Sequence, residues 1–231
     1  MKIDQCTVIG CGGTGQMLLP GLLRMLTYHP SGTNEAKVYD GDHFEPHNIE
    51  RQIGQSGPKV KLMNTLLREQ GLGGVCLDRF ISASGLKRIR QTTDGTLLVV
   101  AAVDNDATRK MCIEVLLDEP GDFLFVTPGN SGADDKDAAI KGNVLWFGRV
   151  GDKEFGIRPD ILFPNIDTPT DGIPRKGGCT DDAVSSPQLI PANALAAAYT
   201  LTVVQNFLDD TMPQQASHMF YNGRTFSTTA N

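Results

Sequence analysis

A cluster of four glycines in residues 10–15, which read GCGGTG, constrains the fold more than any other feature of this chain. It follows a short apolar run at residues 6–10 and precedes a segment, 13–28, whose apolar residues recur at helical spacing. Strand, glycine loop and helix in this order are typical of the first unit of a parallel α/β sheet. The loop either brings backbone N–H groups to a phosphate or merely makes a tight turn.

Strand-like and helix-like segments continue to alternate, which predicts an α/β fold with a mostly parallel central sheet and helices on both faces. Asn222-Gly223 lies between two strand-like runs and predicts a C-terminal antiparallel hairpin with a two-residue turn. Residues 151–188 are rich in Pro, Gly and Asp, which predicts an irregular functional or mobile loop. Without a convincing linker, we expect one domain over 1–231, divided into a nucleotide-binding half (1–130) and a second half (131–231).

Composition and charge narrow the function classes. The 231 residues are 40% hydrophobic, enough for one sizeable core, and the net charge of -6 argues against a nucleic-acid partner. No apolar run has the length of a membrane span, and the first residues do not resemble a signal peptide. The five cysteines form no CxxC pair, so a four-cysteine zinc site has no support. Reduced cysteines predict a cytoplasmic protein.

A second segment, residues 40–52, reads DGDHFEPHNIERQ. It resembles the D-x-D-x-V-x-x-x-N-x-x-R-Q segment of the ThiF/MoeB/HesA and ubiquitin-activating (E1-like) family, with Phe44 in place of the usual valine. Residues 57–60 resemble the glycine-then-lysine helix start of that family, and residues 103–109 resemble its D-N-x-x-x-R segment. Within the family, the chain is most similar to the ThiF-related proteins of PRTRC plasmid cassettes.

This resemblance implies a modified Rossmann-like ThiF/E1 adenylation fold and an enzyme that uses ATP and Mg²⁺. Its substrate would be the C-terminal carboxylate of a small ubiquitin-like or sulfur-carrier (β-grasp) protein that ends in Gly-Gly. The second half would bind that tail and form a homodimer. The implied catalytic residues are Arg51, Lys59, Asp104 and Cys179, with Asp104 as the Mg²⁺ ligand. The implied nucleotide-binding residues are Gly10, Gly12, Gly13, Gly15, Asp40, Asp42, Asn48, Gln52 and Asn105.

The residue types suit that chemistry, because adenylation brings together two anionic reactants and needs cations to screen them. Arg51 and Lys59 would serve this purpose, and a hard carboxylate such as Asp104 suits Mg²⁺. Each residue also has a purely structural interpretation. The two cations could be solvated surface charges, Asp104 could cap the following helix, and Asn48 could be a turn residue.

Two questions stay open at the level of sequence. Cys179, followed by Thr180, either receives the activated carboxylate as a thioester or is an incidental loop cysteine, whereas Cys6 and Cys112 are expected to be buried hydrophobic residues. The chain could also be an NAD-dependent oxidoreductase, which explains the glycine loop and Asp40 but not the other motif residues. A third alternative is a non-catalytic nucleotide-binding scaffold related to the same family.

Overall fold

The computed structural model describes residues 1–50, 52–54, 56–130, 140–172, 190–213, 218–223, 225 and 227–230. The strands are β1 (Gln5–Ile9), β2 (Ala36–Asp40), β3 (His43–Phe44), β4 (Gly57–Pro58), β5 (Val75–Asp78), β6 (Leu97–Ala101), β7 (Phe123–Asn130), β8 (Lys141–Val150), β9 (Lys153–Gly156), β10 (His218–Asn222) and β11 (Ser227–Ala230). The helices are α1 (Gly13–Tyr28), α2 (Lys59–Glu69), α3 (Ala83–Gln91), α4 (Asp106–Asp118), α5 (Pro159–Leu162), α6 (Pro164–Asp167) and α7 (Ile190–Leu208), with a 3-10 turn at Pro46–Glu50.

One sheet organises these elements, in the order β11-β10-β8-β7-β6-β1-β2-β5, with β9 paired to β8. Strands β5, β2, β1, β6 and β7 are parallel, and β8 reverses direction against β7. The strands β10 and β11 extend the antiparallel part. The carboxyl ends of the parallel strands therefore meet at one edge, where α/β proteins of this type bind ligands.

Two hydrophobic cores cover the two faces of the sheet, because successive side chains of a strand point to opposite sides. Val8 and Val100 belong to the core that packs against α1, α2 and α7. Ile9 and Val99 belong to the core on the side of α3 and α4. The predicted fold class, with helices on both faces of a mostly parallel sheet, is confirmed. Among the described residues, no helix combines the length and apolar character needed to cross a membrane.

The C-terminal hairpin exists, but its predicted two-residue turn is wrong. Asn222 is the last residue of β10, where it pairs with Lys141 of β8 and with Ser227 of β11. The connection between β10 and β11 is therefore the four-residue stretch 223–226. Pairing along a long neighbouring strand outweighs the local turn preference of an Asn-Gly dipeptide, because each added pair contributes backbone hydrogen bonds.

The prediction of an irregular segment at 151–188 is also wrong for its first part, which contains β9, α5 and α6. Gly151 has φ +59°, the left-handed conformation that turns the chain so that β9 folds back onto β8. Pro159 and Pro164 begin the two short helices, where a missing N–H does no harm. Residues 173–189, which include Cys179, lie outside the described residues.

Candidate active site

The glycine loop joins β1 to α1 at the carboxyl edge of the sheet. Gly10 has φ +98°, and a Cβ atom at this position would lie 2.3 Å from the carbonyl oxygen of Ala102. A Cβ atom on Gly15 would lie 2.3 Å from the carbonyl oxygen of Gly10. Gly12 differs, because its Cβ would meet only the Gln52 amide, at 3.9 Å. Gly12 precedes α1 without a side-chain cap, so the first N–H groups of this helix are available to an anion.

Asp40, the last residue of β2, connects this strand to the glycine loop through hydrogen bonds. Its carboxylate accepts hydrogen bonds from the backbone N–H groups of Cys11 (2.6 Å) and Asp42 (2.8 Å). The side chain is buried, and burial raises the pKa of Asp40, while the nearby Lys59 opposes that change. The structure thus assigns Asp40 a role in shaping the loop, and its predicted contact with the nucleotide stays a prediction.

Lys59 is the first residue of α2 and lies beside the same loop. Its Nζ is 2.9 Å from an Asp42 carboxylate oxygen, and its backbone N–H donates to the Asp42 carbonyl (3.0 Å). Its backbone carbonyl accepts a long contact from the Cys11 thiol, 3.9 Å away. The Lys59 side chain is 12% exposed and that of Asp42 53%, so the ammonium group is held at the loop rather than solvated.

Asn48 and Gln52 occupy different environments although they belong to one motif. Asn48 is buried, and its side-chain oxygen accepts from the Glu45 N–H at 2.9 Å, which supports the interpretation as a turn residue. Gln52 packs beside Gly12, and its buried Oε1 has no hydrogen-bond partner within the described structure. An unpaired buried acceptor is costly unless a ligand supplies the donor. Arg51, the residue between them in the motif, lies outside the described residues.

Asp104 lies at the carboxyl end of β6, just before α4. The helix cap is Asn105, whose side chain accepts from the Thr108 N–H at 2.9 Å, so the alternative that Asp104 caps this helix is wrong. Asn105, predicted to bind the cofactor, therefore has a structural task. The Asp104 carboxylate is exposed and forms no hydrogen bond or ion pair with any described residue. It is free to contact a ligand or a cation.

Two residues that the sequence predictions missed hold the loop containing Asp104. Arg109 donates to the Val103 carbonyl (2.5 Å) and the Thr127 hydroxyl (3.1 Å). Asp171 accepts from the N–H groups of Asp106 and Ala107, both at 2.8 Å. Arg109 is part of the D-N-x-x-x-R motif, but nothing in the sequence around Asp171 indicates this contact.

A buried polar cluster supports the glycine loop from behind, and it too was missed. The Thr14 hydroxyl lies 2.9 Å from the Asn193 amide oxygen, and the Asn130 amide lies within 2.7 Å of Asn193. The Tyr221 hydroxyl contacts the Asn130 side chain and the Ala192 carbonyl. Burial raises the pKa of Tyr221, so its hydroxyl keeps the proton that it donates. The cluster joins α1, β7, α7 and β10.

Replacing Tyr221 by Phe is expected to lower the free energy of unfolding by about 1–3 kcal/mol, because buried partners of the hydroxyl are left unpaired. Urea denaturation would measure this change. Tyr28→Phe is the matched control, since Tyr28 is 70% exposed and its replacement should have no measurable effect. Equal stability of both variants would contradict the assigned role of the cluster.

Those predicted residues that the structure describes lie near the carboxyl ends of β1, β2 and β6, whereas Arg51 and Cys179 fall outside the described residues. The glycine loop contacts Asp40 directly and Gln52 closely, Lys59 lies beside it, and Val103 packs 3.4 Å from the Cβ position of Gly10. Among the described residues, no group of three His, Cys, Asp or Glu forms a metal site. The exposed Asp104 carboxylate, which is unpaired among the described residues whereas that of Asp42 pairs with Lys59, nevertheless suits Mg²⁺, because proteins often hold this ion through one or two carboxylates and substrate phosphates.

No family model matches the chain, and neither does any curated protein. Solved structures do match. Escherichia coli MccB with ATP superposes with a TM-score of 0.61 at 16% identity, covering 100% of this chain and 64% of MccB. MccB with AMPCPP and MccA gives 0.60 at 15% identity, covering 99% of this chain and 63% of MccB. PaaA gives 0.61 at 14% identity, covering 99% of this chain and 63% of PaaA. The chain therefore has the MccB fold and spans less than two thirds of these proteins.

Proposed function

We propose that this protein binds ATP at the glycine loop and transfers AMP to the carboxylate at the C-terminus of a peptide or protein. The supporting observation is the convergence of the loop, Lys59, Gln52 and Asp104 in the fold of MccB, which has been solved with ATP and with AMPCPP plus MccA. The motif resemblance to the ThiF/MoeB/HesA and ubiquitin-activating family points to the same chemistry.

In the proposed reaction, a carboxylate oxygen attacks the α-phosphorus of ATP. A bond forms between that oxygen and phosphorus, the bond to the bridging oxygen breaks, and pyrophosphate leaves with the electron pair. Lys59, and Arg51 by its place in the motif, would screen the repulsion between the anionic reactants. The N–H groups at the start of α1 would bind phosphate oxygens. Mg²⁺ held by Asp104 would supply further charge neutralisation at the phosphates.

The finer proposals rest on the motif resemblance. The substrate would be a small ubiquitin-like β-grasp protein with a C-terminal Gly-Gly, and the enzyme would be a homodimer. Within the family it would be most similar to the ThiF-related proteins of PRTRC plasmid cassettes. Residues 131–231 would bind the substrate tail. Sedimentation velocity of the purified protein tests the dimer directly, and a monomer at micromolar concentration would contradict it.

Exchange of labelled pyrophosphate into ATP tests the central proposal. The assay would contain the protein, Mg²⁺ and either a Gly-Gly-tailed protein encoded beside this one or its C-terminal peptide. The matched control is the same peptide with a C-terminal amide, which lacks the nucleophile. Exchange with the acid but not with the amide is the expected result. Binding of NAD without binding of ATP would instead indicate an oxidoreductase, and ATP binding without exchange would indicate a nucleotide-binding scaffold.

If Cys179 forms a thioester, incubation with ATP and the labelled substrate should yield a covalent adduct that dithiothreitol removes. Cys179→Ala should abolish the adduct and leave pyrophosphate exchange unchanged. Cys6 and Cys112 are poor alternatives, since both are fully buried and burial raises the pKa of their thiols to about 12. An adduct that persists in Cys179→Ala, as measured by gel electrophoresis without reductant, would rule out this step.

A further inference from the structure

The open edge of the sheet carries a groove of about 620 Å³ between α3 and the strands β2 and β5. It begins near Phe80, whose ring lies close to Gly41, and extends to Lys37 and Val75. Lys37 and Val75 are paired neighbours in the amino-terminal part of the two strands. The groove therefore runs away from the carboxyl edge, where the glycine loop lies. We call it the edge groove.

The walls of the edge groove are mainly apolar. The rings and aliphatic chains of Tyr39, Leu77 and Ile89 form part of its surface. Val75 is 56% exposed although it belongs to a strand of the central sheet. A volume of this size lies within the range of sites for small organic molecules.

The charges in the edge groove are all of one sign. Lys37, Arg79 and Arg88 line it, whereas none of its lining residues is an aspartate or a glutamate. None of the three cations forms an ion pair with a described residue, and Arg79 only stacks on Tyr39, with its guanidinium carbon 5.8 Å from the ring centre. The lining of the groove is therefore positively charged although the whole chain has a net charge of -6. Such a concavity attracts anions.

We propose that the edge groove binds a small organic anion with an apolar body, such as a medium-chain carboxylate. The apolar walls would bury the body of the ligand, and Lys37, Arg79 and Arg88 would pair with its anionic group. No residue of the glycine loop lines the groove, so the proposal does not rest on ATP binding at that loop.

Isothermal titration calorimetry with two probes of matched apolar body tests the proposal. Dodecanoate carries a negative charge and dodecyltrimethylammonium a positive one, and both would be used below their micelle-forming concentrations. One dodecanoate is expected to bind per chain, more weakly at high salt, whereas the ammonium probe should not bind. Saturating ATP with Mg²⁺ should leave dodecanoate binding unchanged. Competition by ATP would assign the groove to the nucleotide site and overturn the proposal.

Three variants distinguish binding in the edge groove from non-specific binding of an amphiphile elsewhere on the protein. Arg88→Gln should weaken dodecanoate binding about fivefold, as expected for one partly exposed ion pair. Arg68→Gln is the matched control, since it removes the same charge from α2 on the other face of the sheet. Val75→Trp should fill the groove and abolish binding, with an unchanged circular dichroism spectrum. Equal affinity for both probes, no dodecanoate binding, or equal effects of Arg88→Gln and Arg68→Gln would overturn the proposal.

Discussion

Asp104→Asn is expected to lower the rate of carboxylate-dependent pyrophosphate exchange by about 100-fold or more. The substitution keeps the shape of the side chain and removes the charge that would hold Mg²⁺. Asp104 is exposed and forms no hydrogen bond or ion pair with another described residue. The free energy of unfolding of the Asp104→Asn protein should therefore stay within about 0.5 kcal/mol of the wild-type value. Steady-state exchange and urea denaturation would measure the two quantities.

Asn105→Ala is the matched control for that experiment. It removes the cap of α4, whose oxygen accepts from the Thr108 N–H, and should cost about 1 kcal/mol of stability. The Asp104 carboxylate remains, so the loss of exchange should be much smaller than in Asp104→Asn. If Asp104→Asn retains full exchange, this carboxylate has no part in the reaction.

Gly10→Ala is expected to destabilise the protein by about 3 kcal/mol or more and to abolish ATP binding. Two costs add at this position. The backbone at Gly10 has φ +98°, a conformation that residues other than glycine rarely adopt. The new methyl group would also lie 2.3 Å from the Ala102 carbonyl oxygen. Neither the end of β1 nor the end of β6 can move away without breaking the pairing between these two central strands.

Gly71→Ala distinguishes the conformational cost of a positive φ from the steric cost of the new methyl group. Gly71 ends the turn after α2 with φ +64°, and a Cβ atom there would meet nothing within 4 Å. Only the conformational cost applies, which is about 1 kcal/mol, and ATP binding should be unaffected. Urea denaturation and calorimetry with ATP would compare both variants. A Gly10→Ala protein as stable as Gly71→Ala would show that the loop does not need the close approach to β6.

Local signals predicted much of the parallel half of the fold. The helix expected at residues 13–28 has those bounds in the structure. It follows from strong apolar periodicity directly after a glycine loop. Helix α3 was not predicted, although Ser82 caps it in the usual way, because its short sequence is polar and offers only a narrow apolar face.

The candidate site could be predicted only where one continuous segment carries it. Asp40 and Gln52 belong to one continuous segment, residues 40–52, and its motif therefore predicts that both lie near the glycine loop. Asp171 and Asn193 reach the site from the second half of the chain. Such contacts depend on the whole topology, and no local pattern in a single sequence encodes them.

The cluster behind the glycine loop has a consequence for biosynthesis. A ribosome synthesises Gly13 and Thr14 long before Asn193 and Tyr221, yet the loop is supported by these later residues. A nascent chain that ends near residue 130 has its first βαβ unit but lacks the helix that packs against it. If the loop binds ATP as proposed, we expect binding only after α7 and β10 have left the ribosome, so the nucleotide would not guide the early steps of folding.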